Sequence, residues 1–165
     1  MNNTTKKTVI AALLAALCCV ATMVVKIPSP LNGYLNLGDC IVLICGCLLS
    51  PAYGFLAAAL GSALADLFAG YIVYAPATFF IKGAMALTAY FLVRKLKAKK
   101  TTARLIGGVL AEILMILGYF VFEGFLYGFL PSAVNIPANA VQGVAGIVLG
   151  LVLMQLFDKI KVRFN

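Results

Sequence analysis

Histidine and tryptophan are both absent from this chain, and acidic residues number only five. Without histidine the usual general acid–base group and a common metal ligand are missing. The five cysteines, Cys18, Cys19, Cys40, Cys45 and Cys47, contain no CxxC pair and fall in or beside apolar runs, so they read as small packing residues rather than a redox or metal centre. No Walker sequence is present, which excludes ATP hydrolysis by the chain itself. A membrane phosphatase or protease built on Asp39, Asp66 or Glu123 would lack a base, a metal motif and an activator for its embedded serines. The chain reads as a non-enzyme, with no cofactor and no metal.

What is present is hydrocarbon. Of the 165 residues 64% are hydrophobic and 11% charged, and the mean hydropathy is +1.07, outside the range of soluble domains. A helix needs ~20 residues to cross ~30 Å of lipid, and the length accommodates about six such crossings with short connections. An all-α integral membrane protein is predicted, a six-transmembrane-helix bundle in which residues 1–165 form a single domain. The net charge of +8 does not point to nucleic acid, because the basic residues gather in three clusters beside apolar runs. Lys6 and Lys7 precede the first run; Arg94, Lys95, Lys97, Lys99, Lys100 and Arg104 divide the fourth from the fifth; Lys159, Lys161 and Arg163 follow the sixth. Six crossings place all three clusters on one side, and the positive-inside rule makes that side, with both termini, cytoplasmic.

The first run, about 8–25, is longer than a signal-peptide core, and cleavage before Cys18 or Cys19 would leave Leu17 or Cys18 where a small residue is wanted, so it reads as a retained helix. Ala11, Ala12, Ala15 and Ala16 form two overlapping small-xxx-small pairs there, fit for close helix contact within the bundle or with a partner. The second run, 40–49, is short for a full crossing and ends at Ser50-Pro51, which predicts a tilted or partly embedded helix. The third, about 52–69, carries Gly54, Ala58, Ser62, Asp66 and Gly70 at intervals of four, a narrow stripe with a carboxylate near its end. The fourth, 73–93, puts Tyr74, Thr78 and Lys82 on one face. Glu112, Tyr119 and Glu123 recur on one face of the fifth, 105–122 and its flank, and Asn135, Asn139 and Gln142 on one face of the sixth, 133–157.

Between the first two runs lies KIPSPLNGYLNLGD (26–39), the most polar and turn-rich connection. Pro28 and Pro30 stop helix propagation, Asn32 and Gly33 supply turn chemistry, Tyr34 suits a membrane interface, and Asp39 is placed to cap the next helix. The segment is either a capped interhelical loop or a lid. At 1.5 Å per residue, the predicted topology brings Asn36, Asp66, Tyr74, Thr78, Lys82, Tyr119, Glu123, Asn135, Asn139 and Gln142 to the outer half of the bundle, leaving Glu112 apart, nearer the inside. Buried ionisable groups in lipid need partners. The cluster is therefore either an outward-facing pocket for a small planar ligand or an internal network pairing Lys82 with Asp66 or Glu123. A stand-alone proton-coupled carrier using Asp66, Lys82 and Glu123 is a third possibility.

NGYLNLGD (32–39), GSALADLFAGY (61–71) and YAPATFFIKG (74–83), with the alanine-rich first helix, resemble the S components of energy-coupling factor (ECF) vitamin transporters over nearly the whole chain. They are most similar to the subgroup associated with hydroxymethylpyrimidine or pyridoxine uptake, itself related to riboflavin S components. The resemblance implies a multi-pass protein of the prokaryotic plasma membrane. It implies capture of a water-soluble vitamin from outside, with pyridoxine or hydroxymethylpyrimidine first and riboflavin as the alternative, and with Asn32, Tyr34 and Asp39 in the lid. It further implies docking, through Ala11 and Ala15 or the adjacent register Ala12 and Ala16, on a transmembrane coupling subunit driven by two cytoplasmic ATPases. The missing tryptophan and histidine point away from thiamine.

Overall fold

A computed structural model describes residues 2–159, so Lys161 and Arg163 of the third basic cluster lie outside the described residues. Among the described residues, five helices are long and apolar enough to cross a membrane: α1 (Asn3–Val24), α3 (Pro51–Phe68), α4 (Ala75–Lys95), α5 (Lys100–Tyr127) and α7 (Ile136–Lys159). Proline opens α3 at its first position, where the missing amide costs nothing. A one-turn α6 (Phe129–Ser132) and a 3-10 turn (Ala133–Asn135) lead into α7, so the sixth apolar run begins as two tight turns rather than as one continuous helix.

The sixth principal helix, α2 (Gly38–Leu48), has 11 residues. At 1.5 Å per residue it covers about half of a ~30 Å hydrocarbon layer. Apart from Asp39 its sequence is apolar on every face, and every residue from Gly38 to Gly46 is buried, because α1, α3, α4, α5 and α7 all pack on it. The lipid-facing surface is made by the long helices, with Leu13, Phe80, Leu117 and Val141 among their exposed apolar side chains.

Lipid gives no hydrophobic drive for helices to meet, so close packing must do it. A Cβ on Gly46 would stand 2.3 Å from the Ala86 carbonyl oxygen of α4, and one on Gly61 would stand 2.4 Å from that of Ala15 in α1. The small-residue stripe of α3 is buried at Gly54, Ala58, Ser62 and Asp66 against these neighbours, with Ser62 Oγ 3.3 Å from Cys18 Sγ. Gly70 leaves the stripe, since it follows the helix end at φ 84°. In α1 the two alanine registers separate: Ala11 is buried and Ala15 half-buried toward α3, whereas Ala12 and Ala16 are exposed.

The 26–39 connection folds as a small antiparallel hairpin, β1 (Ile27–Pro28) with β2 (Tyr34–Leu35), turning through Gly33 at φ 95°. It lies across one end of the bundle.

Candidate ligand-binding site

The hairpin roofs a cavity of about 40 Å³, room for a few water molecules. Ser29, Asn32, Gly33, Tyr34 and Asn36 line it from the hairpin side, Asp66 from the end of α3, Tyr71 and Tyr74 from the connection to α4, Thr78 from α4, Tyr119 and Glu123 from α5, and Asn139 and Gln142 from α7. Eight of the ten pocket residues expected from sequence thus border one space, with Asn32 and Tyr34 of the expected lid. Tyr71, Ser29 and Gly33 were not anticipated.

The roof is tied down chiefly by its own backbone. Leu31 N–H donates to Asn135 Oδ1 (3.2 Å), Asn36 N–H donates to Gln142 Oε1 (2.9 Å), and the carbonyl of Asn32 accepts from Asn135 Nδ2 (3.3 Å). One side chain adds to this: Tyr34 Oη donates to Asp66 Oδ1 at 2.7 Å. Tyr34 is therefore a clasp on α3 rather than a free interfacial ring. Burial, and then the negative charge of Asp66, push its phenol above its ordinary pKa, so it stays a donor at neutral pH. The Tyr34 and Tyr71 rings lie 4.8 Å apart between centroids, and Tyr71 meets Tyr74 edge-on at 6.1 Å.

Below the roof, Thr78 Oγ1 and Tyr119 Oη are 2.9 Å apart. Glu123 accepts from Asn135 Nδ2 at 2.9 and 3.0 Å and from Tyr74 Oη at 3.3 Å. Asn135 thus stands behind the cavity, holding both a wall carboxylate and the roof.

Two expectations are corrected. Asp39 is neither a lid residue nor a side-chain cap: α2 starts one residue earlier, no side-chain cap bond forms, and Asp39 is wholly buried. Lys82 pairs with this Asp39, not with Asp66 or Glu123, and sits behind the cavity with its Nζ 5.5 Å from the centroid of the Tyr119 ring. The physical reason is depth. The hairpin dips into the bundle and delivers the first turn of α2 to the level of Lys82, while Asp66 and Glu123 are satisfied nearer the roof. Gln142 Nε2 takes the second Asp39 oxygen at 2.6 Å, which fixes its amide so that Oε1 faces Asn36.

A sequence profile described as "ECF-type riboflavin transporter, S component" matches residues 2–159. The chain belongs to this family of S components. It is a substrate-binding, non-enzymatic subunit of an ECF transporter, a multi-pass protein of the cell membrane whose family works with an energising module. An uncharacterized protein of Pyrococcus woesei is 38% identical over 135 residues, which cover 79% of this chain and 87% of that one. The fold matches a solved structure described as the S component of a bacterial ECF transporter, with a TM-score of 0.80 and 24% identity over 97% of this chain and 99% of the other. Riboflavin is the substrate this family's description names, which reverses the ranking that put pyridoxine or hydroxymethylpyrimidine first.

Proposed function

We propose that this S component captures riboflavin from outside the cell in the cavity beneath the hairpin and delivers it by docking on a transmembrane coupling subunit driven by two ATPases. The observation that carries this reading is the cavity itself, in a chain whose family is described by riboflavin. Four tyrosines, Tyr34, Tyr71, Tyr74 and Tyr119, offer faces for a planar ring system, and the amides of Asn36, Asn139 and Gln142 match a ring edge that both donates and accepts. Asp66 and Glu123 suit the hydroxyls of a sugar-alcohol chain.

A three-ring ligand needs far more than about 40 Å³, so the hairpin must lift and the tyrosines part for entry. That same small volume favours a second reading, a one-ring ligand such as pyridoxine or hydroxymethylpyrimidine. Titration calorimetry of the purified protein with the three compounds, alongside flavin fluorescence quenching, separates them. Tight riboflavin binding with neither one-ring compound competing is the expected result; tight binding of a one-ring compound alone overturns it.

For docking, the exposed register of α1, Ala12 and Ala16, is the one free to meet a partner. Ala12→Trp with Ala16→Trp is expected to abolish copurification of the coupling subunit while leaving ligand titration unchanged. Retained copurification removes this face from the proposal.

A further inference from the structure

Beneath the cavity, and touching it only through Gln142, lies a second polar group. Asp39 of α2, Lys82 of α4 and Gln142 of α7 are joined by the contacts given above, and Glu112 enters the same region from near the middle of the 28-residue α5. The four are 0, 2, 4 and 3% exposed. Two glycines of α7 make the room. A Cβ on Gly146 would stand 2.8 Å from Asp39 Cβ and 3.0 Å from Glu112 Oε1, and one on Gly143 would stand 3.1 Å from Glu112 Cβ. The two carboxyl-bearing side chains therefore share one notch.

Lys82 and Asp39 neutralise each other. Glu112 has no equivalent partner, since neither of its carboxyl oxygens is hydrogen-bonded among the described residues. Among the described residues, the ionisable groups facing it are Asp39 and Cys40 from α2 and Lys82 from α4, whereas α7 presents Gly143 and Gly146. Two carboxyl groups and one ammonium leave the cluster one positive charge short. An uncompensated charge in a dry interior is too costly to persist.

We propose that Glu112 is the seat of one monovalent cation, a proton or an alkali ion, that completes the charge balance of the Asp39–Lys82–Glu112 cluster. A proton forms an O–H bond on the Glu112 carboxylate and leaves a neutral acid, with no other bond broken; an alkali ion is held between carboxylate oxygens. A divalent ion would overshoot the charge and face the Lys82 ammonium. Gln142 is the wall between this site and the ligand cavity. The bound charge keeps Lys82 committed to Asp39, and Asp39 in turn orients the Gln142 amide toward the roof.

The chain contains two glutamates, Glu112 and Glu123, so carboxyl-labelled glutamate makes an infrared experiment specific. Spectra of the full-length protein in nanodiscs are recorded in buffers whose bulk cation is N-methylglucamine, sodium or potassium, for the native sequence and for Glu112→Gln. For the proton, a neutral-carboxyl C=O band that moves with the label is expected in all three buffers and is lost in Glu112→Gln. For an alkali ion, a Glu112 carboxylate band is expected to shift when sodium or potassium replaces N-methylglucamine. A free-carboxylate band for Glu112 that no salt alters overturns the proposal. If Glu112→Gln does not fold, Glu123→Gln removes the other labelled group and the same spectra give the same decision.

Discussion

Two carboxylate–cation clusters stand at different depths, and they differ in what surrounds them rather than in what they contain. Asp39 and Lys82 are 0 and 3% exposed at the side chain, enclosed by five helices. Near the cytoplasmic end Asp158 of α7 takes Lys100 Nζ at 2.7 Å and the Arg104 guanidinium at 2.7 and 3.2 Å, with Asp158 37% and Lys100 62% exposed but Arg104 only 3%. Exposed pairs contribute ~0–1 kcal/mol, because water and salt replace the partner. Breaking a buried pair from one side costs ~3–5 kcal/mol, because the remaining charge has nowhere to go. The outer cluster therefore constrains the fold and, through Gln142, the roof; in the inner one the Arg104 fork holds α5 to α7, and the exposed Lys100 arm adds little.

The sharpest break is Lys82→Met, expected to cost about 3–5 kcal/mol by stranding Asp39. Thermal or denaturant unfolding in detergent measures it, and Asp39→Asn added to it is expected to restore most of the loss, whereas Asp66→Asn is not. Rescue by Asp66→Asn would mean that Lys82 has its partner at the wrong address here. Next comes Tyr34→Phe, which deletes the clasp on Asp66. A hydrogen bond to a charged group is worth about 1.5 kcal/mol, so ligand dissociation is expected to quicken about tenfold with the unfolding midpoint hardly moved. Stopped-flow release checks this, and an unchanged release rate would remove Tyr34 from the closing machinery. Smallest is Lys100→Ala, expected to change stability by less than ~0.5 kcal/mol and to lower its salt dependence slightly. A loss comparable to that of Lys82→Met would collapse the contrast between the two clusters.

The long helices were legible because each is a long apolar run bounded by Pro, Gly or Lys/Arg, and the shortness of α2 was readable from Ser50-Pro51. The cavity was largely legible too, since helical spacing alone puts Tyr74 with Thr78, and Asn139 near Gln142, on common faces. The partner of Lys82 was not. Asp39 ends a polar loop in the sequence, and nothing local says that the loop dips far enough to bury it; only the packing of five helices around α2 does. Tyr71 was missed because it falls in a turn, where helical periodicity offers no phase, although its spacing of three from Tyr74 in a tyrosine-rich connection was a usable sign.

The roof is held on its α7 side through peptide groups of Leu31, Asn32 and Asn36, with Asn135 of the 3-10 turn and Gln142 of α7 supplying the side chains. A fastening of that kind does not depend on which residue occupies those hairpin positions, provided none is proline where an amide donates. Under the proposed function, side chains on the underside of the hairpin are therefore expected to be exchangeable without undoing this fastening.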